Sequence, residues 1–138
     1  MLILYKTLVR PVLDYCVPLW LPNAKKDILK LEKIQKRFTK MIEGFKTKLY
    51  EQRITKLGIS TVEDRFYRAD MIQVYTILND NKKIYPTDFL ELSNRAGQKN
   101  LLKLFKRRCY GDLMKYSFTS RVVGLWNDLQ DAVFCQQM

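Results

Sequence analysis

Seven bases lie between Lys25 and Lys40 against only two acids, Asp27 and Glu32. Ammonium and guanidinium groups at that density hold anions, above all the phosphates of a nucleic-acid backbone, and contacts made by charge alone are indifferent to base sequence. On a helical wheel Lys26, Lys30, Lys33, Arg37 and Lys40 fall within about 80° of one another. Ala24, Ile28, Leu31, Phe38, Met41 and Ile42 gather on the other side, so one face is expected to pack and the other to form a cationic ribbon. A salt-bridged solvent face would alternate signs at i and i+4, which this stretch does not do. A membrane-surface helix would stand as an isolated segment, whereas this one has several partner helices to bury it.

Other chemistry finds little support. Tyr67-Arg68-Ala69-Asp70 superficially matches the Tyr-x-Asp-Asp turn of polymerase palms, but that turn needs two adjacent carboxylates on a hairpin to bind magnesium. Here Asp70 stands alone inside a helical period and reads as a surface or helix-pairing carboxylate. Glu63 and Asp64 form a carboxylate pair in a first helical turn, where the macrodipole favours negative charge. There is no histidine, no Gly-rich phosphate loop, and no Ser or Cys beside a base. Cys16, Cys109 and Cys135 are far apart without Cys-x-x-Cys spacing, so no zinc site is expected and all three read as buried free thiols of a reducing compartment. The chain is expected to catalyse nothing alone.

Charge and length frame these readings. The net charge of +11 divides into +1 over residues 1–24, +7 over 25–56, −2 over 57–94, +7 over 95–121 and −2 over 122–138. Two basic blocks flank an acidic middle, and a field of that sign draws in polyanions. The 138 residues, 47% of them apolar, suit one globular domain with a real core. No window approaches the roughly 18 apolar residues needed to span a bilayer. The opening MLILYK places its lysine after the apolar residues, unlike a signal peptide. An intracellular location, nuclear or cytoplasmic, is expected.

The ribbon must be held by helices. Leu2 to Arg10 is apolar at helical intervals, Leu4, Leu8 and then Val12, and Pro11 should kink or end that helix. Pro18 and Pro22 bracket VPLWLPN as an irregular link with Trp20 as a core anchor. The basic helix is expected from Asn23 to Glu43, stopped by Gly44, and about 30 Å long. Tyr50 to Leu57 reads as a short helix closed by Gly58. Ser60 and Glu63 make a capping box for a long helix to about Leu78, with Val62, Phe66, Ala69, Ile72, Tyr75 and Leu78 turned to the core. Asn79-Asp80-Asn81 marks a turn, and Pro86 and Gly97 a loop. LLKLFKRR alternates apolar and basic residues only loosely and reads as strand or irregular. Helix returns around Ser120 with Val122, Val123, Trp126 and Leu129 inward. No internal repeat or low-complexity run is present.

The fold class is therefore mainly α: a compact helical domain of about five helices, with room for a short β-hairpin near 101–117. Residues 1–22 form an opening helix and Pro-rich link, 23–80 the central helices, and 81–138 a C-terminal loop and helix region.

Several stretches carry a resemblance: LYKTLVRPVLDYCVPLW at 4–20, DILKLEKIQKRFTKMIEGF at 27–45, YEQRITKLGISTVEDRFYRADMIQVYTILN at 50–79 and SFTSRVVGLWNDL at 117–129. With phrases such as Leu-Val-Arg-Pro, Leu-Glu-x-x-Gln-x-Arg and Arg-Val-Val-x-x-Trp-Asn in this order, the chain resembles the region following the catalytic palm in reverse transcriptases of non-LTR retrotransposons, of the jockey-like or LINE type. The resemblance implies the helical thumb and adjoining C-terminal part of an RNA-directed DNA polymerase, which clamps template and primer behind the active site. It makes Lys26, Lys30, Lys33, Arg37 and Lys40 backbone contacts, and Lys103, Lys106, Arg107, Arg108 and Lys115 a weaker second patch. The implied partners are an RNA–DNA hybrid or duplex backbone and the palm and fingers of the parent polymerase, with no membrane. The parent would use magnesium, whereas this chain needs no cofactor. Arg95-Ala96-Gly97-Gln98 replaces a Thr-Arg-Gly-His common in relatives, and the palm aspartates are absent, so a truncated fragment is expected. The alternative is a helical protein–protein interaction module with no nucleic-acid role, using apolar surface that once met the palm.

Overall fold

The computed structural model describes residues 2–79, 89–93 and 102–136, the side chains of Leu113 and residues 130–136 excepted. It is mainly helical, as the apolar periodicity requires, and divides into two compact units, Met1–Ala69 and Asp70–Met138. No helix among the described residues is long and apolar enough to cross a membrane.

The first unit begins with α1 (Leu2–Leu4), a π-helical turn (Tyr5–Val9) and α2 (Arg10–Asp14). The helix passes through Pro11 because the Arg10 N–H reaches back five residues to Tyr5 O, and this wider turn stands just before the residue with no N–H to give. Cys16 then reverses the chain in the left-handed region at φ 49°, rare for a residue with a Cβ. The Trp20 indole N–H donates to Tyr15 O and ties that turn. VPLWLPN is not irregular throughout: it holds a helical turn, α3 (Val17–Trp20), with Pro18 in its first positions, where a missing N–H is tolerated.

The basic helix, α4 (Lys25–Met41), is shorter than the Asn23–Glu43 expected, and its 17 residues span about 25 Å. Ala24, not Asn23, precedes it in extended geometry without a side-chain cap, and Ile42 leaves helical geometry before Gly44 is reached. α5 (Tyr50–Leu57) ends at Gly58 as expected, in the left-handed region at φ 59°, and Ile59 N–H closes on Ile54 O at 3.0 Å.

α6 (Val62–Asn79) carries Glu63 and Asp64 in its first turn, but its capping pair lies one residue further on than Ser60 and Glu63. Thr61 Oγ1 accepts the Asp64 N–H at 3.1 Å and donates to the Asp64 carboxylate at 2.6 Å. Val17, Val62 and Phe66 form the apolar cluster of this unit, with Leu21, Leu31 and Ala69 against it. Trp20, expected inside, is 39% exposed and covers that cluster, edge-on to Phe66 at 5.7 Å.

In the second unit Met71, Val74, Ile77, Leu90, Leu104, Val122, Val123 and Trp126 form one core. α6 buries a different face here from the one its apolar spacing predicts. Beyond Ala69 the buried positions are Asp70, Met71, Val74 and Ile77, while Ile72 and Tyr75 are 55% and 61% exposed. A wheel drawn for one core assigns one stripe, whereas the first turns of this helix belong to one cluster and the rest to another.

α7 (Asp112–Lys115) leads into α8 (Phe118–Gln136), which buries Val122, Val123 and Trp126 as expected but leaves Leu129 partly exposed. No hairpin forms among the described residues of 101–117. Instead Leu92 and Leu104 make an isolated antiparallel bridge, with Ser93 N–H to Lys103 O at 2.8 Å and Phe105 N–H to Glu91 O at 2.7 Å. On its other edge Leu104 is held by Asn127, whose Oδ1 accepts the Leu104 N–H at 2.9 Å and whose Nδ2 donates to the Leu104 carbonyl at 3.0 Å. The Trp126 indole donates to Leu102 O at 2.9 Å. Side chains of α8 thus take the backbone groups that a hairpin partner would have used. The expected turn beyond Asn79 and the loop at Pro86 and Gly97 lie outside the described residues.

Candidate nucleic-acid interface

The cationic ribbon is exposed along the whole of α4: Lys26, Lys30, Lys33, Arg37 and Lys40 all face solvent. Lys30 is committed, its Nζ 2.7 Å from Asp27 Oδ1, and that hydrogen bond is the main reason the Asp27 carboxyl is held below its usual range. Lys26, Lys33, Arg37 and Lys40 make no ion pair among the described residues. Lys26 and Lys40 are about 21 Å apart along the axis, the length of about six phosphates on one strand of a duplex.

What lies beneath the ribbon is not the apolar face expected. The buried residues of α4 are Glu32, Gln35 and Thr39, at 7%, 0% and 0% exposure, while Ala24, Ile28, Leu31, Phe38 and Ile42 are only half-buried and Met41 is 61% exposed. Gln35 is the hub. Its Oε1 accepts the Tyr5 hydroxyl and Arg65 Nη1, both at 2.6 Å, and its Nε2 donates to Tyr50 Oη at 2.8 Å and Ser60 O at 3.0 Å. Glu32 accepts the Tyr50 hydroxyl with one oxygen and the Val62 N–H, at 2.8 Å, with the other. That second bond places a carboxylate on the first turn of α6, where an anion is favoured. Arg65 extends the network by donating from Nε to Asp14 Oδ1 at 3.1 Å. Tyr5 also stacks on Phe38 at 4.6 Å, and Lys36 Nζ lies 4.9 Å over the Tyr50 ring. Buried polar groups that satisfy one another fix orientation more narrowly than apolar contact does. α4 is therefore held at a set rotation, which is what presents the ribbon as a row.

Glu32, Gln35 and Thr39 were missed because a wheel ranks positions by apolarity. The available signal was the phrase Leu-Glu-x-x-Gln-x-Arg, whose Glu and Gln are two of the three buried hydrogen-bonding residues and whose Arg37 is on the ribbon. Lys48 and Lys56 were missed as well. Proximity to Lys56, then its charge, lowers the Lys48 pKa, and the Lys48 ammonium lies 4.7 Å over the Phe45 ring.

The network gives a pH dependence. Burial raises the hydroxyl pKa of Tyr5 and of Tyr50 above 10.0, and for Tyr50 the hydrogen bond to Glu32 adds to it. Above pH 10 the unfolded chain loses these protons while the folded chain keeps them, so stability falls as pH rises from there and is fully present below. Chemical denaturation at stepped pH should show a midpoint level to about pH 9.5 and then falling. A Tyr50→Phe variant should show a shallower alkaline fall, and an unchanged fall would exclude Tyr50 as a source.

The second patch is in the second unit. Lys106, Arg107, Arg108 and Lys115 are exposed and Lys103 half-buried. Arg107 is bound by the Glu91 carboxylate, which holds the Glu91 pKa down and the Arg107 pKa up. All but Lys103 line an open cleft of ≈ 1080 Å³.

Comparison with models of protein families, with curated proteins and with solved structures returns no match. The local chemistry must carry the reading.

Among the described residues no three carboxylate or thiol groups come together, Asp70 is engaged on both oxygens by Arg121 at 2.9 Å, and Glu32 is engaged on both of its own. Asp70, at 1% exposure, is the helix-pairing carboxylate of α6 and α8. The thiols differ from the expectation of burial: Cys16 is exposed in its turn, and Cys109 is half-buried with Sγ 3.3 Å from Ser120 Oγ. The Cys135 side chain lies outside the described residues.

Proposed function

We propose that the chain is a non-catalytic, thumb-like nucleic-acid-binding fragment of an RNA-directed DNA polymerase of the non-LTR retrotransposon type, which contacts a template–primer backbone through α4. The observation that carries this reading is the row of exposed cations Lys26, Lys33, Arg37 and Lys40, without carboxylate partners among the described residues, on a helix fixed from beneath by Glu32 and Gln35. The resemblance in sequence supports the polymerase origin, and the ribbon supports the backbone contact independently. The natural partners are an RNA–DNA hybrid or duplex and the palm and fingers of the parent enzyme.

The test is fluorescence anisotropy of a labelled RNA–DNA hybrid across a salt series. If five to seven phosphates are engaged, log K against log salt should have a slope of about −4 to −6, by roughly −0.9 per contact on duplex. A slope near zero would sink the proposal.

One feature favours a second reading, the protein–protein module. The first twenty residues expose Ile3, Leu4, Leu8, Val12, Tyr15 and Leu19, the last at 85%. Apolar surface of that kind drives association. Sedimentation that grows with concentration and ignores added nucleic acid would favour it.

A further inference from the structure

The cleft in the second unit differs in make-up from the α4 ribbon. The apolar neighbours of the ribbon, Leu29, Ile34 and Met41, are aliphatic. Those of the cleft include Phe105 and Tyr116, 43% and 41% exposed, and flat rings left open to water are surfaces on which another flat group can stack. Cations stand beside the rings. Lys106, Arg108 and Lys115 line the same cleft without a carboxylate partner among the described residues, and Glu91, the one acid among its described lining residues, is taken by Arg107. The Lys115 ammonium lies 5.4 Å over one face of the Tyr116 ring, so a phosphate drawn to it would bring its nucleotide beside that ring, whose other face is the one left for stacking.

Interleaved rings and cations that have no carboxylate partner among the described residues, in an open groove, suit a strand whose bases are free. In a duplex the base faces are covered by one another and only the backbone is offered, whereas a single strand presents a π-face and a phosphate at each nucleotide. The space, ≈ 1080 Å³, exceeds the usual range for a small-molecule pocket and accommodates more than one nucleotide. We infer that this cleft is a single-strand site, in which an unpaired base stacks on Tyr116 or Phe105 while Lys106, Arg108 and Lys115 hold the adjoining phosphates. The inference rests on the reading of the chain as a nucleic-acid binder and adds to it a second site with a different ligand form.

The experiment uses the full chain carrying Lys33→Glu, Arg37→Glu and Lys40→Glu, which silences the ribbon, and compares a labelled thymidine strand of about ten nucleotides with an abasic strand of equal length. The thymidine strand should bind about tenfold tighter, the scale of one base–aromatic stack. Tyr116→Ala combined with Phe105→Ala should erase that difference, and Tyr116→Phe, which keeps a ring, should retain it. Equal affinity for the two strands overturns the single-strand site and leaves the backbone reading standing. So does a difference that survives loss of both rings, or polyglutamate binding as tightly as thymidine. If the unmodified chain binds neither strand nor hybrid, both readings fall together.

Discussion

Changing Lys33, Arg37 and Lys40 together to glutamate is expected to weaken binding of an RNA–DNA hybrid by about two to three decades at 0.1 M salt. Each phosphate contact releases counterions worth roughly 0.9 in the logarithmic salt slope, hence about 0.9 decade at that concentration. Three lost contacts give the total, and the slope itself should become shallower by about 3. These three residues are chosen because Lys30 already spends its charge on Asp27. All three side chains face solvent, so the helix should survive the change, and an unaltered far-ultraviolet spectrum is the control. A variant that folds and binds as tightly as the parent would remove α4 from the interface.

The second large effect concerns stability. Asp70→Ala should cost about 3 kcal/mol, because the partly buried Arg121 guanidinium loses the enclosed carboxylate that engages it through two hydrogen bonds. Asp70 is almost wholly enclosed, and Arg121 grips both of its oxygens at 2.9 Å. In urea, with a slope of about 2 kcal/mol per molar, the midpoint should fall by more than about 1 M. Replacing both partners by apolar residues, Asp70→Leu with Arg121→Met, should recover part of the loss, since the partly buried guanidinium then leaves together with its carboxylate. A loss below about 1 kcal/mol in the single variant would show that water reaches Arg121 freely.

Most helices and the stop at Gly58 were legible in the sequence, and the reasons are local, whereas α4 ends before the expected stop at Gly44. Gly58 in the left-handed region and the acidic first turn of α6 follow from residue type at one position. The exposure of Lys26, Lys33, Arg37 and Lys40 was legible too, because charge prefers water whatever the fold. The contents of the interior were less so. Gln35 and Glu32 are polar, and only their partners on other segments, Tyr5, Tyr50, Ser60, Arg65 and Val62, make their burial favourable. A single-helix wheel contains none of those partners. Ile72 and Tyr75 were misplaced for a related reason, since the wheel cannot tell which cluster each turn of α6 belongs to. In the candidate site, the ribbon was readable from spacing, while the commitment of Lys30 to Asp27 and of Arg107 to Glu91 required geometry.

The grip of Asn127 on Leu104 also bears on how the protein behaves when crowded. A short extended segment paired on one side normally leaves its other side as a template, and a strand from a neighbouring molecule can add to it and begin an aggregate. Here the carboxamide of Asn127 occupies both the amide and the carbonyl of Leu104 on that open side, much as a cap closes a helix end. At Leu104 the extended segment is sealed by a side chain, and the chain avoids edge-to-edge growth there without a further strand.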